Sequence, residues 1–203
     1  DIPVRVTLDI SRLSEYKDVK FANYPAGSAY LWQQAGHPIV GCDLLYDCTV
    51  PFGSGLSSSA AIEVSTIAAL ATLAGEKLDP VKIALVAQKA EREYAGVNCG
   101  IMDQYASACG KKDNAILLDC NTLVREYVPI VLGDFTLVIA NCNKPHSLVE
   151  SKYNERRAET ERALALLKEK ADISCLAELT PDAFARISSV LDGEGKVKDR
   201  ARH

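Results

Sequence analysis

Pro51-Phe-Gly-Ser-Gly-Leu-Ser-Ser-Ser-Ala-Ala61 is the stretch that decides the fold. It follows an apolar run, Val40 to Val50, stopped by Pro51, and leads into a long helical pattern from Ser58 to Ala74. The segment is therefore a turn between a strand and a helix. Gly53 and Gly55 allow close backbone approach, and the first amides of the following helix lack intrahelical acceptors, which suits an anion placed there. Ser57, Ser58 and Ser59 add hydroxyl donors for phosphate oxygens and a candidate magnesium ligand, while Ala60 and Ala61 leave the helix end uncovered. No Gly-Lys-Ser/Thr follows, so this is not a Walker A loop, and it is not a dinucleotide fingerprint either. A flexible turn with a simple helix cap is the rival reading.

Working outward, Ile62, Ile67, Leu70 and Leu73 give the long helix its apolar positions, and Gly75 stands where a left-handed cap is wanted. Asp79-Pro80 supplies an N-cap and a first-turn proline for a second helix running to about Tyr94, with Gly96 after it. A short helix from about Ile101 to Cys109 stops at Gly110. Upstream, Val4 to Ile10 alternates apolar and polar residues as a half-buried strand does, and Ala29 to Ala35 reads as a helix ended by Gly36. Downstream, Ala115 to Asp119 and Phe135 to Ala140 read as strands. Ser147 and Glu150 have capping-box spacing before a helix reaching towards Ala171, and Thr180-Pro181 opens another that ends near Gly193. Strands and helices mix without regular βαβ alternation, which makes the class α+β.

The 203 residues can bury one sizeable core or parts of two, and 48% of them are hydrophobic. A net charge of −4 argues against nucleic acid or an anionic membrane as partner and for small molecules. The 7 cysteines form no Cys-x-x-Cys pair, which speaks against a disulfide framework or a zinc site and for a reducing cytoplasm. The most apolar stretch, Ala60 to Gly75, is broken by Glu63, Ser65, Thr66 and Thr72, so neither a signal peptide nor a membrane span is expected. A chain that opens on Asp1-Ile2-Pro3 and ends on Arg200-Ala-Arg-His203 reads as a piece of a longer protein.

Pro51-x-x-x-Gly-Leu-Ser-Ser-Ser-Ala60 resembles the second motif of the GHMP kinases. Two further segments are similar to the galactokinase branch of that family: Gly96-Val-Asn-Cys-Gly-Ile-Met-Asp-Gln104 followed by Leu117-Leu-Asp-Cys120, and Asn141-x-x-x-x-His-Ser-Leu-x-x-Ser-x-Tyr-Asn-x-Arg-Arg157. The resemblance runs from about Val19 to the C-terminus and covers little more than half of a typical member. It implies an N-terminal domain of the ribosomal S5 domain 2-like type, with a left-handed βαβ crossover, over residues 1–128. Residues 129–203 would begin an incomplete ferredoxin-like domain.

The resemblance also implies the chemistry: transfer of phosphate from ATP, with magnesium, to the anomeric hydroxyl of galactose. ATP would lie against Pro51, Gly53, Ser54, Gly55, Leu56, Ser57, Ser58, Ser59 and Ala60. Asp103, in the first turn of the short helix where amide dipoles favour its ionised form, would be the catalytic carboxylate. Gly100, Asp103 and Tyr153 would hold the sugar, and Ser58 and Glu91 would hold magnesium. Each has a plainer rival: Asp103 a helix-cap charge, Glu91 a solvated charge on its helix, Tyr153 a core aromatic, His146 a loop residue. Arg156 and Arg157 fit a solvated face or an ion-pair network. The family's Gly-Glu-His-Thr-Asp-Tyr motif and its glycine-rich third motif are missing, so these residues alone are expected to bind nucleotide weakly and to turn over little. A kinase for N-acetylgalactosamine or arabinose, and a non-catalytic sugar sensor, are the alternatives. Ser59-Ala60 speaks against the sensor.

Overall fold

A computed structural model describes residues 5–19, 21–51, 53–140 and 152–203. The chain divides into two compact units, Asp1–Ser147 and Leu148–His203.

In the first unit, three helices bury one another: α1 (Asn23–Gln34), α2 (Ser58–Leu73) and α3 (Pro80–Glu93). On α2 the buried positions are Ala60, Glu63, Val64, Thr66, Ile67, Leu70 and Ala71, a stripe built mainly at three- and four-residue spacing. Leu73, one of the apolar positions of the pattern, is exposed at the last residue of α2. Ile83, Ala84, Val86, Ala87, Ala90 and Glu91 form the matching face of α3. Helix α1 adds Ala26, Ala29, Leu31 and Trp32 to the same core. It starts six residues before the expected Ala29, since proline is tolerated in a first turn and Pro25 sits there.

The helix boundaries follow from local chemistry. The Asp79 side chain accepts from the amides of Val81 (3.0 Å) and Lys82 (3.2 Å) and so starts α3. At the end of α2, the Glu76 amide reaches back to the Ala71 carbonyl (2.9 Å) across Gly75 at φ 74°, a left-handed termination that glycine supplies at least cost. The Trp32 indole stacks on His37, with ring centroids 3.6 Å apart, and His37 Nδ1 lies 2.7 Å from a Glu76 carboxylate oxygen. That contact ties the end of α1 to the end of α2.

Helix α4 (Met102–Cys109) packs on α2 and α3, with Ile101, Tyr105 and Cys109 buried beside Ala84. A hairpin follows, β1 (Asn114–Leu118) antiparallel to β2 (Arg125–Pro129), with Asn114 opposite Pro129 and Leu118 opposite Arg125. Its turn is held by Asp119 Oδ1, which accepts from the amides of Asn121 (2.8 Å) and Thr122 (3.2 Å). Arg125 donates to the Tyr105 hydroxyl (2.6 Å) and Tyr127 donates to the Cys109 carbonyl (2.7 Å), so the hairpin is fastened to α4.

Three expected strands are not laddered. Within Val4–Ile10, residues 5–9 run as irregular backbone and a turn begins at Ile10; residues 40–49 and 135–140 have no regular structure. Alternation alone forms no strand: a neighbour must accept and donate along the ladder, and among the described residues the only sheet is the β1–β2 pair. Phe135, Leu137 and Val138 are correspondingly exposed. The α+β class itself holds, with helix dominating.

The second unit comprises α5 (Tyr153–Leu167), α6 (Pro181–Ile187) and α7 (Val197–Arg202), around Ala163, Leu167, Leu191 and Val197. Thr180 caps α6 by accepting from the Ala183 amide (3.2 Å), as its Thr-Pro sequence predicts. The capping pair Ser147 and Glu150 lies outside the described residues, as do Asn141 and His146. No helix among the described residues is long and apolar enough to cross a membrane.

Candidate active site

The loop before α2 is built for positive backbone angles: Gly53 has φ 63°, Gly55 φ 77° and Ser57 φ 59°. Two of these positions carry glycine, for which the left-handed region costs little, and the third carries the residue that caps α2. The Ser57 side chain makes no capping bond. Ser54 Oγ instead donates to the Pro51 carbonyl (2.8 Å) and closes the turn. Ser57, Ser58 and Ser59 are half-buried at the start of α2, and Ala60 is fully buried beneath them. Pro51, Gly53, Gly55 and Leu56 are exposed ahead of a helix N-terminus whose N-cap side chain makes no capping bond. A few residues upstream, the Tyr46 hydroxyl lies 2.8 Å from Thr66 Oγ1 and anchors the approach to the loop on α2.

Glu91 connects this loop to the short helix. It is 3% exposed on the buried face of α3 and accepts from Gln104 Nε2. Burial raises its carboxyl above the usual range, the nearby donor groups of Ser59, Cys99 and Gln104 offset part of that, and the charge of Asp103 raises it again. Loop serine, α3 glutamate and α4 aspartate thus share one electrostatic neighbourhood. The reading of Glu91 as a solvated charge is overturned, because its place eight residues after Ile83 puts it on the stripe and not on the opposite face. Asp103 itself is half-buried in the first turn of α4. Gly100 is exposed just before that helix, with open space where a Cβ would stand. Tyr153 is 43% exposed at the first position of α5, so it is not a core aromatic; it belongs to the other unit.

Beneath these residues lies a polar cluster that motif reading passed over. Glu63 and Gln104 are fully buried, and Gln104 Nε2 donates to Glu63 Oε2 (3.2 Å) and to Glu91 Oε2. Burial first, and Glu91 second, push the Glu63 carboxyl up to about 9. Cys99 and Tyr24, both chiefly desolvated, are pushed up to about 12. The signal for Glu63 is present in the sequence: it stands three residues after Ala60 and four before Ile67, on the stripe and not across from it. For Gln104 there is only adjacency to Asp103.

The chemistry of this arrangement is oxygen-rich. A carboxylate beside a serine hydroxyl is a donor pair of the type magnesium takes, completed in such sites by phosphate and water in place of a protein cage. Among the described residues no group of three or more His, Cys, Asp or Glu side chains is placed to hold a metal ion by itself. A cation at this point would also relieve the cost of keeping Glu91 ionised while buried. The first amides of α2, without a side-chain cap from Ser57, and the left-handed turn fit a phosphate chain.

Comparison with known proteins gives a consistent result. Residues 23–111 match the GHMP kinases N terminal domain. The galactokinase of Clostridium tetani (strain Massachusetts / E88) is 41% identical across 100% of this chain and 52% of its own length. That of Lactiplantibacillus plantarum is 46% identical, covering 98% of this chain and 51% of its own. The crystal structure of Lactococcus lactis galactokinase complexed with galactose superposes with a TM-score of 0.82 at 37% identity, over 93% of this chain and 50% of that one. The chain spans about half the length of the relatives it matches. It carries a GHMP kinase N-terminal domain and is homologous, along its whole length, to part of the galactokinases.

Proposed function

We propose that this chain provides the nucleotide loop and the catalytic carboxylate of a sugar 1-kinase that phosphorylates the anomeric hydroxyl of galactose from ATP. The observation that carries the reading is Glu91, buried on α3, whose ionised form the Ser59 hydroxyl of the loop favours and the charge of Asp103 opposes. A phosphate chain on the loop and an acceptor hydroxyl at Asp103 then fall on two sides of one buried carboxylate.

In this reading the residues from Pro51 to Ala60 hold ATP: Gly53 and Gly55 keep the backbone close, Leu56 borders the site, and Ser54 holds the turn closed. Ser57, Ser58 and Ser59 donate hydroxyls. Ser58 and Glu91 hold magnesium, which when bound neutralises phosphate charge. Asp103 accepts or orients the proton of the sugar hydroxyl, and Gly100 and Tyr153 contact the sugar. Phosphoryl transfer asks little covalent work of a protein, so these residues act chiefly by alignment and charge. The acidic chain takes a small-molecule partner and works in the cytoplasm.

Release of ADP from magnesium-ATP, measured with galactose, N-acetylgalactosamine and arabinose in turn, tests the proposal. The expected result is a slow rate that depends on galactose and drops about 100-fold or more in Asp103→Asn. A larger rate with another sugar contradicts the substrate. A rate indifferent to Asp103 contradicts its role, and galactose-dependent turnover as fast as that of an intact kinase contradicts the expected weakness of this chain alone.

A further inference from the structure

Gln104 stands between two carboxylates on two different helices. Its amide has two hydrogens, and its Nε2 lies within hydrogen-bond reach of Glu63 Oε2 on α2, at 3.2 Å, and of Glu91 Oε2 on α3. Gln104 and Glu63 are fully buried and Glu91 is nearly so. Gln104 itself sits on α4, one residue after Asp103. The amide therefore joins the three helices that carry the loop, the glutamate and the aspartate. Glu63 Oε1 and Gln104 Oε1 are buried without a hydrogen-bond partner among the described residues, a cost that a purely structural position would shed by replacement with apolar side chains.

We propose that Gln104, supported by Glu63, is a positioning residue: its amide fixes the rotamer of Glu91 so that this carboxylate faces Ser59 and the metal side of the loop. The inference rests on the reading of Glu91 as the magnesium-side carboxylate. A primary amide suits the task because it donates two bonds in one plane and carries no charge, so it bridges two acids without neutralising either. Glu63 holds the far hydrogen, and without it the amide is free to rotate away from Glu91. Asp103 gains its register from the same bridge, since it is the neighbour of Gln104 on α4.

Isothermal titration of the chain with ATP, once with magnesium and once with excess EDTA, tests this in wild type, Gln104→Met, Glu63→Met and Glu63→Gln, with ligand-free thermal unfolding measured beside each. Wild type is expected to bind the magnesium complex at least about tenfold tighter than free ATP. Gln104→Met, equal in length but unable to donate, is expected to bring that ratio to about twofold or less while free ATP binds as before. Glu63→Met should lower the ratio several-fold, and Glu63→Gln, which keeps an acceptor, should restore it to within about twofold. A merely structural role lowers the melting temperature and weakens both forms of ATP alike, leaving the ratio unmoved. A Gln104→Met protein that keeps the wild-type ratio overturns the proposal. If that variant does not unfold cooperatively, the Glu63 pair decides, and equal ratios in Glu63→Met and wild type overturn it. A wild type that binds neither form overturns the nucleotide reading and this inference with it, whereas a wild type with no magnesium advantage overturns the role of Glu91 and this inference but leaves the nucleotide loop standing.

Discussion

Glu63 illustrates how one residue resists motif reading and yields to spacing. In the sequence it interrupts an apolar stretch; in the fold it occupies a stripe position of α2 and is fully buried. Its carboxyl, with an ordinary value of 4.5, is pushed to about 9 by burial and by Glu91. The unfolded chain gives up this proton near the ordinary value and the folded chain keeps it far longer, so stability from this group is full below about 4.5 and is lost progressively as pH rises towards about 9. Glu63→Gln cannot titrate and removes that slope, leaving the smaller one from Glu91. The melting temperature of wild type should fall more steeply between pH 5 and pH 9 than that of Glu63→Gln, by roughly 2–4 °C for each kcal/mol of linkage in a chain of this size. Thermal unfolding at pH 5, 7 and 9 checks this, and parallel curves contradict it. As candidates, Asp103 and Glu91 came from the family resemblance, and the sequence left Glu91 open to a solvated reading that only the register of α3 in the fold removes. Gln104 was not legible, since an amide next to an acid has no pattern of its own.

At the scale of elements, helices were read well and strands poorly, for a physical reason. A helix satisfies its backbone within its own sequence, so Asp79-Pro80 and Gly75 announce the ends of α3 and α2 correctly. A strand depends on a partner: residues 5–9, 40–49 and 135–140 carry apolar residues without a ladder, while Arg125–Pro129, charged at its start and ending in proline, pairs with β1. Asp79→Ala removes two capping bonds and is expected to cost about 1 kcal/mol in denaturant unfolding. Gly27 is a sharper case. A Cβ there would sit 2.8 Å from ring carbons of Tyr94, which sits at the end of α3 and donates to the Leu13 carbonyl. Gly27→Ala should therefore destabilise by about 1–3 kcal/mol despite its better helix propensity. Gly100→Ala, whose added Cβ would meet nothing within 4 Å, should leave stability unchanged in the same measurement.

For the whole molecule, the α+β class and the family were legible because the three motifs fall in the right order along the chain, and the matched domain over residues 23–111 holds the first and the Gly96 to Gln104 part of the second. The third motif falls partly outside the described residues, and Tyr153 belongs to the second unit. The site of the first unit is therefore the part that can be tested on its own terms. Its central claim is that the loop around Gly53 to Ser59 binds the phosphates of a nucleotide. Thermal unfolding with and without magnesium-ATP, on wild type and on Gly55→Val, addresses it most directly. Gly55 has φ 77° and no neighbour within 4 Å of a Cβ, so valine disturbs the loop without striking the core. At a nucleotide concentration tenfold above Kd, wild type should melt about 3 °C or more higher than without ligand, and Gly55→Val should not respond. An equal rise in both proteins, or none in wild type at millimolar nucleotide, would contradict the account.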